Sequence, residues 1–163
     1  MKVIFDMDGT LNFWETGTPM EVIMAPGYMR YRRPHANMVE AAKLLIRQGI
    51  EVYTLSAVFD LPHFIPDKEF WLDQYLPEVD ASHRIYSHIN KGKAKHLQDI
   101  GVRKDDVFVD DYNHNLREVQ ALDMVTCMKC VCPGTNDKHR SWNGKRLFVG
   151  DSPEEIVRKI LQT

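Results

Sequence analysis

Cysteine is scarce and clustered: three residues, all inside the stretch CMKCVC at positions 127–132. An odd number of cysteines crowded together cannot make the spaced disulfide framework of a small secreted domain, so a reducing, cytoplasmic setting is expected. Long apolar runs are missing too. None approaches the roughly 20 residues that a membrane span requires. No signal-peptide pattern is visible at the start, and the opening KVIF reads as a core strand, which argues against a disposable leader. Charge of one sign is also lacking. Lys+Arg total 21 against 23 Asp+Glu, a formal charge of -2, which provides no field for binding a nucleic-acid polymer. Internal repeats and low-complexity tracts are absent. What is left is 163 residues with 44% hydrophobic content, suited to one domain around one core.

Strand and helix signals alternate along that chain. KVIF (Lys2–Phe5), EVYTL (Glu51–Leu55), RIYS, DVFV (Asp106–Val109), MVTCMKCV and KRLFV read as strands. PHANMVEAAKLLIRQG, PDKEFWLDQYL, GKAKHLQDIG, NLREVQALD and SPEEIVRKIL read as helices. In the first helix Pro34 suits the first turn, Val39, Ala42 and Ile46 share a face, and Gly49 is placed to end it. The last has Ser152 to cap it, Pro153 at its first position and Glu155 three residues on. The alternation predicts an α/β fold, a parallel sheet with helices on both faces, in a single domain over 1–163. The stretch Asn12–Arg33 interrupts it between the first strand and the first helix, and reads as an insertion over the active edge. A second loop, Cys132–Gly144, precedes the last strand.

Right-handed crossovers bring all strand C-termini to one edge, where ligands bind in such sheets. To that edge the sequence delivers Asp6 and Asp8, then Ser56 with Ala57, then Lys91 and Lys93, then Asp110 and Asp111. Converging carboxylates repel one another unless a cation sits among them. Hard oxygen ligands point to Mg²⁺. Mg²⁺ beside an ammonium and a hydroxyl suits a phosphate ester. An aspartate can serve as nucleophile, and its neighbour two residues on, on the same side of an extended chain, as acid and then base. Either acidic pair alone fits a plain strand-to-turn junction; DMDGTL after an apolar strand, with the second pair after another strand, points to a site.

DMDGTL, Ser56 after VYTL, Lys93 and VFVDD resemble, in order, the four signatures of the haloacid dehalogenase superfamily of phosphohydrolases, over nearly the whole chain. APGYMRYRRPHANMVEAAKLLIRQGIEVYTLSA, PDKEFWLDQYLPEVD and DDVFVDDYNHNLREVQAL are similar to its 5'(3')-deoxyribonucleotidase-like branch. The resemblance implies a Rossmann-like fold with a short cap at about 12–33 and Mg²⁺-dependent hydrolysis of nucleoside monophosphates. It implies Asp6 as nucleophile and metal ligand, and Asp8 as acid/base that ligates the metal through its carbonyl. Ser56 and the Ala57 N–H would hold the phosphoryl group, and Lys93 rather than Lys91 would offset its charge. Asp110 would complete the metal site, with Asp111 a ligand or an acceptor for metal-bound water. Gly9 and Thr10 would shape the turn.

Other features compete for roles. Cys127, Cys130 and Cys132 with His139 have nearly the spacing of a zinc site, but a strand that turns Cys127 into the core is the simpler reading. GYMRYRR is either a solvated cap surface or a substrate wall. In the second case Phe13, Trp14, Tyr28 and Tyr31 offer faces to a nucleobase, with Trp14 and Tyr31 as the chosen contacts, and arginines meet phosphate. The function read from the sequence is a Mg²⁺-dependent phosphomonoesterase acting on (deoxy)ribonucleoside monophosphates. Its rivals are a phosphatase for sugar phosphates or another metabolite, and a binding protein that keeps the fold without turnover.

Overall fold

Burial with a period of two in the first strand sets the architecture. In β1 (Lys2–Phe5), Val3 and Phe5 enter one apolar cluster while Ile4 enters another on the opposite face. Every residue but the first is buried, as a strand covered on both faces requires. The same division recurs in β4 (Val107–Asp110), where Val107 and Val109 face one way and Phe108 the other. A computed structural model describes residues 1–133 and 141–163 of the chain; His139 and most of the loop before the last strand lie outside the described residues.

The other strands are β2 (Glu51–Val58), β3 (Arg84–His88), β5 (Thr126–Val131) and β6 (Lys145–Phe148). All pairings are parallel, in the order β3-β2-β1-β4-β5-β6. Helices α1 (Met20–Ile23), α2 (Ala36–Arg47), α3 (Phe64–Tyr75), α4 (Ala94–Asp99), α5 (Asn113–Gln120) and α6 (Pro153–Leu161) connect and flank them. α2, α3 and α6 bury Met38, Leu45, Trp71, Leu72 and Ile156 on one face. α4 and α5 bury Leu97, Leu116 and Val119 on the other. Adjacent strands β1 and β4 therefore send their following helices to opposite faces. The crevice this opens at their C-terminal ends is the topological switch point, where such sheets bind ligands.

Local readings shift in three places. β2 does not stop at Leu55: Ser56 and Ala57 remain in the ladder opposite Tyr86 and Ser87, because β3 supplies partners for a longer strand. Pro34 lies outside α2, which His35 caps; it forms an antiparallel bridge with Asn12 instead. α5 begins at Asn113, two residues before the expected start. α6 starts as expected, with the Ser152 hydroxyl accepting from the Glu155 N–H at 3.2 Å. The three cysteines are buried thiols. Strand alternation puts Cys127 and Cys130 in clusters on opposite faces, so they cannot share a zinc ion. Among the described residues no helix is long and apolar enough to cross a membrane.

At the edge away from the crevice, Asp106 is fully buried. Its carboxylate accepts from the Lys2 N–H at 2.6 Å and from the Arg103 N–H at 2.8 Å, tying β1 to the entry of β4. An Asp106→Ala variant removes the acceptor from two part-buried backbone donors, at about 0.5–1.5 kcal/mol each. The expected loss is about 1–3 kcal/mol, read as a lower urea midpoint at unchanged slope; a loss below about 0.5 kcal/mol would contradict this role.

Candidate active site

The turn after β1 is built around one carbonyl. Met7 O accepts from the N–H groups of Thr10, Leu11 and Asn12 at 2.9–3.2 Å, and the Gly9 N–H returns to Asn12 O at 2.9 Å. Gly9 has φ +84°, and a Cβ there would sit 2.3 Å from Asp111 Oδ2. The left-handed backbone therefore favours glycine, and a side chain there would displace the Asp111 carboxylate. The Asp6 N–H donates to Val109 O at 2.8 Å. That bond extends the β1–β4 ladder and sets Asp6 beside Asp110.

Lys93, at the start of α4 and almost fully buried, joins the two strands. Its ammonium donates to Asp6 Oδ1 and, at 2.8 Å, to Asp110 Oδ2. Asp110 also accepts from the Tyr112 N–H at 2.7 Å and the Asn115 amide at 2.9 Å. Lys91 stays exposed and outside this cluster. Oxygens of Asp6, Asp110 and Asp111 lie within 4.8 Å of one another. Asp8 points to a second cation: its Oδ2 accepts from Lys68, and its Oδ1 from the Asn12 amide at 3.3 Å. Lys68 also donates to the Ser56 hydroxyl at 2.7 Å.

Asp6, Asp8, Lys93 and Asp111 form the polar floor of a cavity of about 190 Å³. Trp14, Met29, Phe59 and Ile89 form its apolar walls, and Ala57 also lines it. Ser56 and Asp110 are fully buried beneath and do not line it. Tyr31 does not reach it either. Its ring is 75% exposed and packs edge-on against Phe70 at 6.3 Å. The arginines of GYMRYRR do not line the cavity: Arg32 is buried, Arg30 half-buried and Arg33 exposed. Arg30 pairs with Asp67 at 3.0 Å, Arg32 donates to the Phe13 carbonyl and the Tyr28 hydroxyl, and Arg33 lies over the Phe13 ring.

Sequence reasoning missed Lys68, Asp67 and Lys129. The signal for Lys68 was its spacing: it shares a face of α3 with Phe64, Trp71 and Leu72, all buried, so a charge there needs buried partners. Asp67 accepts from the Gly27 N–H at 2.6 Å and so holds the segment before α2. Lys129 is buried in β5 and donates to the Asp111 carbonyl.

Burial is the main force on the charges. It lifts Asp6 to about 7, opposed by Lys93 and reinforced by Asp110 and Asp8. It also lifts Asp111 well above the carboxylate range, again with help from Asp110 and Asp6. Lys93 loses by burial but gains more from Asp110 and Asp6, so its ammonium is held above its ordinary value. A carboxylate with a raised folded value costs stability as pH climbs through that value. Three hard-oxygen donors gathered within 4.8 Å of one another fit a divalent cation of the Mg²⁺ kind.

No protein-family model matches the chain. A Staphylococcus aureus protein provisionally named a 5'(3')-deoxyribonucleotidase is 33% identical over 95 residues, covering 56% of this chain and 51% of that protein. The match thus spans about half the length of this curated relative. A D,D-heptose 1,7-bisphosphate phosphatase from B. bronchiseptica, solved with magnesium and phosphate, superposes with a TM-score of 0.70 at 14% identity, over 99% of each chain. A HAD hydrolase from Entamoeba histolytica gives 0.67 at 13% identity, over 99% of this chain and 97% of that one. The fold is the haloacid dehalogenase fold.

Gly9→Ala is expected to cost about 1–2 kcal/mol through its left-handed backbone and to push Asp111 aside. The rise in melting temperature on adding Mg²⁺ should shrink with it. An unchanged Mg²⁺ response would contradict the tight packing of Gly9 on Asp111.

Proposed function

We propose that the protein is a Mg²⁺-dependent phosphomonoester hydrolase that works through an aspartyl-phosphate on Asp6, with a (deoxy)ribonucleoside monophosphate as substrate. The observation that carries this reading is the pairing of two carboxylates on one cavity floor with different partners. Asp6 is clamped by Lys93 beside Asp110 and Asp111, while Asp8 is held by Lys68 and Asn12. Two neighbouring carboxylates in distinct surroundings suit two roles.

In the first half-reaction an Asp6 oxygen attacks phosphorus. The bond from phosphorus to the ester oxygen breaks, and Asp8 gives its proton to the departing alkoxide. In the second, Asp8 takes a proton from water as that water attacks phosphorus, and Asp6 leaves as carboxylate. Asp8 is 18% exposed along its side chain and lines the cavity, within reach of a leaving group there. Lys93 offsets phosphoryl charge, and the Ala57 N–H orients a phosphoryl oxygen, with the Ser56 hydroxyl buried beneath it against Lys68. Lys68 holds Asp8 and Ser56 in register. Mg²⁺ held by Asp6, Asp110 and Asp111, with Asp8 through its carbonyl, would supply positive charge against the phosphoryl oxygens.

The segment 12–33 acts as a short cap on a single domain, 1–163. Trp14 and Met29 from it wall the cavity, and Asp67 anchors it through Gly27 and Arg30. An apolar wall that includes the Trp14 and Phe59 rings suits a nucleobase, in line with the name of the staphylococcal relative. Buried thiols suit a cytoplasmic setting.

Phosphate release from a panel of monophosphates tests this directly. Release should require Mg²⁺, stop with a chelator, and fall by at least ~10³-fold in Asp6→Asn. Equal release by Asp6→Asn would overturn the mechanism. A strong preference for sugar phosphates over nucleotides would overturn the substrate class.

A further inference from the structure

Lys91 and Lys93 are two residues apart in the chain but serve different surroundings. Lys93 is committed to the carboxylate cluster. Lys91 lines a second recess, of about 580 Å³, between the β2–α3 and β3–α4 loops, together with Asp60, His88 and Asn90. This recess shares Phe59 and Ile89 with the inner cavity. The two spaces thus adjoin across an apolar saddle, with the carboxylate floor at one end and hydrogen-bonding groups at the other.

The loop carrying Lys91 is fixed. The Ile89 N–H donates to Val58 O at 3.0 Å and the Lys91 N–H to His88 O at 2.8 Å. The Ser87 hydroxyl donates to Gly92 O at 2.7 Å. Gly92 takes φ +66°, a left-handed turn that favours glycine. These backbone bonds fix where the loop places the Lys91 Cα, so that only its side chain has to order on a ligand.

We propose that the outer recess is the leaving-group subsite, and that Lys91 is a specificity-determining contact for the far edge of a nucleobase whose ring lies over Phe59 and Ile89. The proposal rests on the phosphomonoesterase reading and adds the direction in which the ester leaves the site. Charge decides between ligands. Lys91 offers a donor and Asp60 an acceptor, with the Asn90 amide able to be either. That set matches a neutral ring edge bearing both acceptors and donors. A second phosphate would meet the Asp60 carboxylate, which argues against a bisphosphate.

The test compares deoxyuridine monophosphate with phenyl phosphate, which has a ring but no polar far edge, in wild type, Lys91→Met and Lys91→Arg. In Lys91→Met the ratio of kcat/KM for nucleotide over phenyl phosphate should fall about tenfold, through KM, with Lys91→Arg recovering most of it. A ratio within twofold of wild type, or an equal fall for both esters, would overturn the subsite. If wild type hydrolyses neither ester, the parent reading fails and binding decides the subsite. Calorimetry on Asp6→Asn in Mg²⁺ should then show Lys91→Met weakening the nucleotide and sparing inorganic phosphate. Loss of neither, or no nucleotide binding at all, would overturn it. So would tighter binding of a sugar bisphosphate than of the nucleotide.

Discussion

Mutual repulsion among buried carboxylates is the constraint on which this end of the molecule is organised. Asp6, Asp110 and Asp111 crowd together at the ends of two adjacent strands, where low exposure makes each charge costly. Three buried lysines answer them and the neighbouring Asp8. Lys93 bridges Asp6 and Asp110, Lys68 pairs with Asp8, and Lys129 reaches the Asp111 carbonyl from β5. The start of α5 adds the Tyr112 N–H against Asp110, and with it the positive end of that helix. Compensation is incomplete, which is why burial still lifts Asp6 to about 7. A carboxylate cluster left short of positive charge fits a divalent cation.

The fold makes that crowding possible. β1 and β4 are neighbours whose helices leave toward opposite faces, so nothing but loop covers their C-terminal ends. Each strand is short and buried, and each ends in an aspartate pair. The cation-bearing side chains arrive from elsewhere: Lys93 from the α4 entry, Lys68 from α3, Lys129 from β5. The walls come from still other segments, Trp14 and Met29 on one side and Phe59 and Ile89 on the other.

Legibility in the sequence follows that division. The aspartates could be read because the motif is local, with an apolar strand, two carboxylates at a spacing of two, and a glycine that the turn needs. Strand alternation and the parallel order followed from the same local periodicities. Lys93 could be singled out from Lys91 only by resemblance; the structure separates them by burial. Lys68 went unread because its partners lie far away in sequence, although its place on the buried face of α3 was a signal. Tyr31 failed because an exposed aromatic and a cavity aromatic look alike in a loop with no periodicity. Ser56 was read as a strand end because small residues usually mark one, whereas pairing to β3 keeps it in the sheet and under the surface.

The central claim is that a bond forms between Asp6 and phosphorus. Acid quenching during turnover of a nucleoside monophosphate, reduction with borohydride and mass analysis of the N-terminal peptide reads that bond directly. Reduction of an aspartyl-phosphate should convert residue 6 to homoserine and leave Asp8 unchanged. Turnover with residue 6 intact, or homoserine at any other position, would contradict the account.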